Sequence, residues 1–176
     1  LEFRRVLFRS IGLVEIDRDG SERRWSSLVN PGTRIPAQIE AFTGITNEMV
    51  ADAPFFEDVH RELLERLSGR LFVAHNARFD YGFIRAELQR LGVRFSSPVL
   101  CTVKLSRRLY PDQPRHNLDT VMARHGLSCG ARHRALGDAV VLRDLLEIWR
   151  RDHSADFLTD RVDALFQETV LPPQLR

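Results

Sequence analysis

A chain of 176 residues that is 43% hydrophobic and 28% charged suits one compact domain of roughly 100–200 residues and is too apolar for a disordered segment. No apolar run approaches the ~18 residues of a membrane helix, and the two cysteines, Cys101 and Cys129, are too few for a disulfide scaffold or a closed zinc site, which leaves a reducing cytoplasm as the default. Lys plus Arg total 26 against 24 Asp plus Glu, but Arg4, Arg5 and Arg9 against Glu2 account for the excess, so bulk charge does not point to a nucleic-acid partner.

The first residue is Leu1, and residues 1–10 (LEFRRVLFRS) have neither a signal peptide's apolar core nor a transit peptide's character. They are expected to be a non-native or displaced N-terminal segment. Ile11–Asp17 and Ser21–Asn30 read as strands joined by the turn Arg18-Asp19-Gly20, a hairpin closed by Pro31-Gly32. From Ala37 the pattern is helical, broken at Thr43-Gly44. Pro54–Leu67 is predicted as a helix with Phe55, Val59, Leu63 and Leu67 on one face. Leu71–Ala74 is a buried strand, Ala77–Leu91 a helix, Val99–Thr102 a strand, and Leu118–His125 and Arg134–Arg150 helices. Residues 151–176, with Pro172-Pro173, read as a tail or linker, leaving 11–150 as the domain proper. Strands first, then helices alternating with short strands, indicate an α/β domain with a mixed sheet.

Two clusters combine residue types that carry chemistry. In His75-Asn76-Ala77-Arg78-Phe79-Asp80, at a strand-to-helix junction, Asp80 shares a helical stripe with Ile84, Leu88 and Leu91. A carboxylate on a core-facing stripe needs a cation or hydrogen bonds to offset its burial; the alternative is a residue that complements the helix dipole. In the segment from His133 to Asp138, Asp138 shares a stripe with Leu142, Leu145 and Trp149. His133 is five positions earlier, about 140° round a helix, so it reaches the same site only from the preceding loop. A histidine there takes a proton from water near neutral pH; the alternative is a surface histidine between arginines. Two inward carboxylates and one histidine match a site in which oxygen ligands hold Mg²⁺ or Mn²⁺.

FVAHNARFD (72–80) and HRALGDA (133–139) resemble the second and third motifs of the DEDDh (DnaQ-like) exonucleases. Asn30-Pro31, Ile35-Pro36, Thr43-Gly44-Ile45-Thr46 and Glu48-Met49-Val50 are similar to that family's segment between its first two motifs, and Thr102–Leu127 to its next connection. The resemblance covers residues 11–150. It implies a ribonuclease-H-like fold, a central mixed β-sheet flanked by helices, and a 3′-to-5′ exonuclease that removes nucleotides with two divalent metal ions, Mg²⁺ or Mn²⁺. By motif position Asp80 and Asp138 would be metal ligands and His133 the general base. Thr43, Gly44, Ile45, Thr46, His75, Asn76 and Phe79 would lie beside the terminal nucleotide.

The family's first motif, Asp-x-Glu on the first strand, is absent: residues 1–10 hold no aspartate, and Glu2 is their one carboxylate. The first strand is therefore expected to be replaced or lost and the chain to be nearly inactive. Glu15 and Asp17 share a strand face but are expected to face solvent. The resemblance implies a single-stranded DNA 3′ end as substrate, a polymerase III catalytic subunit as a possible partner and a cytoplasmic setting, with no membrane. Leu171-Pro172-Pro173 resembles a junction to a downstream GIY-YIG nuclease domain. The alternatives are an inactive nucleic-acid-binding or polymerase-docking domain, or an exoribonuclease.

Overall fold

The computed structural model describes residues 9–130 and 134–168. Strands β1 (Ser10–Ile16) and β2 (Glu22–Leu28) pair antiparallel, with Leu13 opposite Trp25. Their turn is closed by Asp17 N–H to the Ser21 carbonyl and Gly20 N–H to the Asp17 carbonyl, with Gly20 at φ +85°, a conformation glycine adopts without steric cost. Helix α1 (Ala37–Thr43) ends at Gly44, also left-handed, and α2 (Asn47–Ala51) starts on Thr46, whose hydroxyl accepts the Met49 N–H.

Helix α3 (Phe56–Leu67) buries Phe56, Val59, Leu63 and Leu67. Phe55, expected on this face, stands outside the helix with 49% of its surface exposed. The Asp58 carboxylate accepts the Phe55 N–H at 2.9 Å, which starts the helix at Phe56, two residues later than expected, and hands the core position to Phe56. Strands β3 (Phe72–Ala74) and β4 (Val99–Cys101) pair in parallel, connected through α4 (Ala77–Arg90), as parallel pairing requires a long crossover. Then come α5 (Thr102–Leu109), α6 (Leu118–Arg124), α7 (Ala135–Asp152) and α8 (Ala155–Glu168).

Both kinds of pairing expected of a mixed sheet are present, in two separate two-stranded ladders among the described residues. One apolar cluster joins Ile11, Val29, α3, Phe72, Ala77, Ile84 and Leu88. Another joins Leu100, Leu105, Leu109, Val121, Leu145, Trp149 and Leu165. Leu165 belongs to α8, so part of the expected tail is a helix anchored in the core. Helix α7 lies against the hairpin so closely that a Cβ on Gly12 would fall 2.1 Å from the Leu136 backbone nitrogen.

Candidate active site

Helices α4 and α7 each place an aspartate in their first turn, Asp80 and Asp138. The apolar stripes below them hold as expected: Ile84, Leu88, Leu142, Leu145 and Trp149 are buried. Asp138 is half-buried, whereas Asp80, expected to face the core, is exposed. Desolvation nevertheless pushes the Asp80 pKa up to about 6, opposed by its own backbone N–H and reinforced by the negative charge of Asp138. Exposure and desolvation are compatible when one side of the carboxyl meets water and the other is walled by protein. A carboxyl held up in this way beside a second carboxylate is the environment a cation relieves.

The turn that aims α4 is set by Asn76, which has φ +62° and caps the helix without a side-chain hydrogen bond. His75, just before it, is half-buried, and its Nδ1 lies 2.9 Å from the Thr102 hydroxyl. Phe79 leaves 51% of its surface exposed and meets Phe83 edge-on at 4.6 Å. His133, the expected base, lies outside the described residues.

The loop Thr43–Thr46 is brought to the start of α7: Arg134 Nη2 donates to the Gly44 carbonyl at 3.2 Å, four positions before Asp138. Thr43 is buried; its hydroxyl donates to the Ile39 carbonyl at 2.7 Å and accepts from Arg9 Nε at 3.2 Å. Ile45 packs with Ile35 and Val50. The side chains of Thr43, Ile45 and Thr46 thus shape the loop, and Gly44 presents backbone. The contributions of Arg134 and Thr102 had no signal in the sequence, because a hydrogen bond across 90 or 27 positions leaves no local pattern.

Glu15 corrects an expectation. It is 7% exposed, not solvent-facing, because Arg66 Nη1 meets its carboxylate at 2.6 Å with Arg23 and Arg70 within 4 Å. Asp17 pairs with Arg70 and Arg23 beside it. These carboxylates clamp the hairpin to α3. Among the described residues no group of three or more His, Cys, Asp or Glu side chains forms a metal cluster. Two carboxylates on the first turns of two helices, the one felt electrostatically by the other, fit part of an oxygen ligand set for a divalent cation.

The RNase T family, described as Exonuclease, matches residues 7–146. The chain belongs to this exonuclease family. DNA polymerase III subunit epsilon of Aquifex aeolicus (strain VF5) is 34% identical over 153 residues, covering 84% of this chain and 76% of the relative. The solved structure of Exonuclease X in complex with 5′ overhanging duplex DNA matches with a TM-score of 0.67 at 29% identity, covering 88% of this chain and 90% of that one. The nuclease domain of 3′hExo, a DEDDh family member bound to rAMP, superposes with a TM-score of 0.64 over 82% of this chain and 93% of that one; at 14% identity it speaks to the fold alone. These neighbours place the chain in the ribonuclease-H-like fold of the DEDDh exonucleases. The chain spans about a tenth of the length of the PolC-type polymerase III proteins it also matches.

Proposed function

We propose that the chain is a metal-dependent 3′-to-5′ exonuclease domain that removes nucleotides from single-stranded DNA 3′ ends in replication or repair. The observation that carries this reading is the pair Asp80 and Asp138, carboxylates on the first turns of two helices, with the charge of Asp138 felt at Asp80. Asp80 and Asp138 would hold Mg²⁺ or Mn²⁺, which when bound polarises the scissile phosphate and stabilises the charge that develops there. His133 would take the proton of the attacking water at an imidazole nitrogen. Phe79 offers an exposed ring against which a terminal base stacks, Gly44 offers backbone from the Thr43–Thr46 loop, and Asn76 offers a side chain at the turn. The other parts of the proposal are the polymerase III catalytic subunit as partner, a downstream GIY-YIG domain and a cytoplasmic setting.

Residues 1–10 hold no aspartate, so within the given residues no Asp-x-Glu pair joins Asp80 and Asp138, which supports weak activity of this chain. The same absence favours a second reading, an inactive domain that binds single strands or docks a polymerase. Degradation of 5′-labelled single-stranded DNA and RNA in Mn²⁺ separates the readings. The enzyme shortens strands one nucleotide at a time from the 3′ end, and the Asp80→Ala and His133→Ala variants do not. Faster shortening of RNA would reassign the substrate. Retention of DNA without shortening in any variant would favour the binding domain.

A further inference from the structure

The contacts of His75 favour a different role from nucleotide binding. Thr102 is fully buried at the start of α5. Its hydroxyl reaches two groups, the Ala74 carbonyl at 3.4 Å and His75 Nδ1 at 2.9 Å. A carbonyl only accepts, so the tautomer that satisfies both contacts at once has the hydroxyl proton on Ala74 and the ring donating Nδ1–H to the hydroxyl. The end of β3, the start of α5 and the His75 ring are thereby tied together, immediately before the left-handed turn at Asn76. That turn is the only positive-φ residue other than glycine among the described residues, and no side chain caps the helix it opens.

We propose that His75 and Thr102 form a strut that positions the Asp80 carboxylate against Asp138, with His75 as a positioning residue. The inference rests on the reading of Asp80 and Asp138 as cation ligands. Ala77, Ile84 and Leu88 fix the axis of α4 in the core, and the strut fixes its first turn. Asp80 lies about 6 Å along the axis from the turn, so a swing of about 10° there displaces the carboxylate by about 1 Å. A displacement of that size is enough to spoil a ligand geometry.

The test uses the full chain and four variants chosen by atom position. Asn at 75 places an amide N–H where Nδ1 stands, whereas Gln places it nearer Nε2; Ser at 102 keeps the hydroxyl and Val removes it. Mn²⁺ titrations are followed by broadening of the Asp80 and Asp138 amide signals in NMR. Thr102→Val and His75→Gln are expected to weaken Mn²⁺ binding about tenfold, in line with other supports of ligand side chains, and Thr102→Ser and His75→Asn to stay within about twofold of the parent. Parent-like binding by Thr102→Val, or equal losses in both His75 variants, would overturn the strut. Long-range ¹H–¹⁵N spectra of the neutral ring supply an arm independent of metal: an Nδ1–H tautomer in the parent supports the strut, and an Nε2–H tautomer overturns it. Absence of Mn²⁺ broadening in the parent contradicts the cation site itself, and the tautomer then decides the strut alone.

Discussion

Asp80 carries an electrostatic cost in the folded state, chiefly from desolvation. Its pKa rises from 3.8 unfolded to about 6 folded, so between those values the folded state binds more protons and its stability falls as pH rises through the interval. Asp80→Asn removes this penalty. The variant is expected to melt higher than the parent at pH 7, by about 1 kcal/mol or less because the carboxyl is open to screening water, with the gain vanishing below pH 4. Melts at both pH values check the sign; a variant less stable than the parent at pH 7 contradicts it. His125 has the opposite sense. Burial, aided by Arg124, holds its pKa below the usual value of 6.5, and its Nε2 accepts the indole N–H of buried Trp149 at 3.2 Å. Stability from this contact is complete above about pH 6.5 and falls with pH as the unfolded chain takes the proton first. His125→Gln keeps an acceptor for Trp149 without a titrating group. In a Trp25→Phe background, the Trp149 fluorescence change that acid causes is expected to disappear in the His125→Gln variant.

Helix α7 is fixed on the hairpin by backbone contact, and this sets where Asp138 stands. Because a Cβ on Gly12 would meet the Ala135 and Leu136 backbone at 2.1 to 2.4 Å, no side-chain rotation relieves the clash. Gly12→Ala is expected to destabilise by about 3 kcal/mol, the upper end of ordinary overpacking. Gly82, inside α4, has nothing within 4 Å of an added Cβ, and Gly82→Ala is expected to stabilise by about 1 kcal/mol through helix propensity. Urea unfolding of the two variants reads both signs, and similar midpoints would contradict the tight approach of β1 to α7. The elements themselves were legible where a period was long: Ile84 with Leu88, and Leu142 with Leu145 and Trp149, announced the faces of α4 and α7. Thr102–Leu109 is only 8 residues and begins with two β-branched residues, so it reads as a continuation of the preceding strand. Helix α8 was hidden in an apparent tail because its anchor, Leu165, acquires meaning only against Leu105 and Leu145, which the fold brings to it.

Across the whole molecule, the family and its fold were legible because ordered motifs spread over residues 11–150 survive as sequence. The candidate site was read as residue types: the aspartates, the histidine and the Thr-Gly-Ile-Thr loop. What local patterns do not carry is which side chains the fold claims for itself. Thr43 and Ile45 turned inward, and Glu15 became the buried centre of an arginine cluster in which Arg66 and Arg70 come from more than 50 positions away. In the proposed site Asp80 and Asp138, from two helices, serve one divalent cation. Its most direct test is the melting temperature of the parent, Asp80→Asn and Asp138→Asn with and without millimolar Mn²⁺, since a ligand that binds the folded state alone raises its stability. A Mn²⁺-dependent rise is expected in the parent and is lost in both variants. A rise of equal size in all three proteins, or none in the parent, would contradict that assignment.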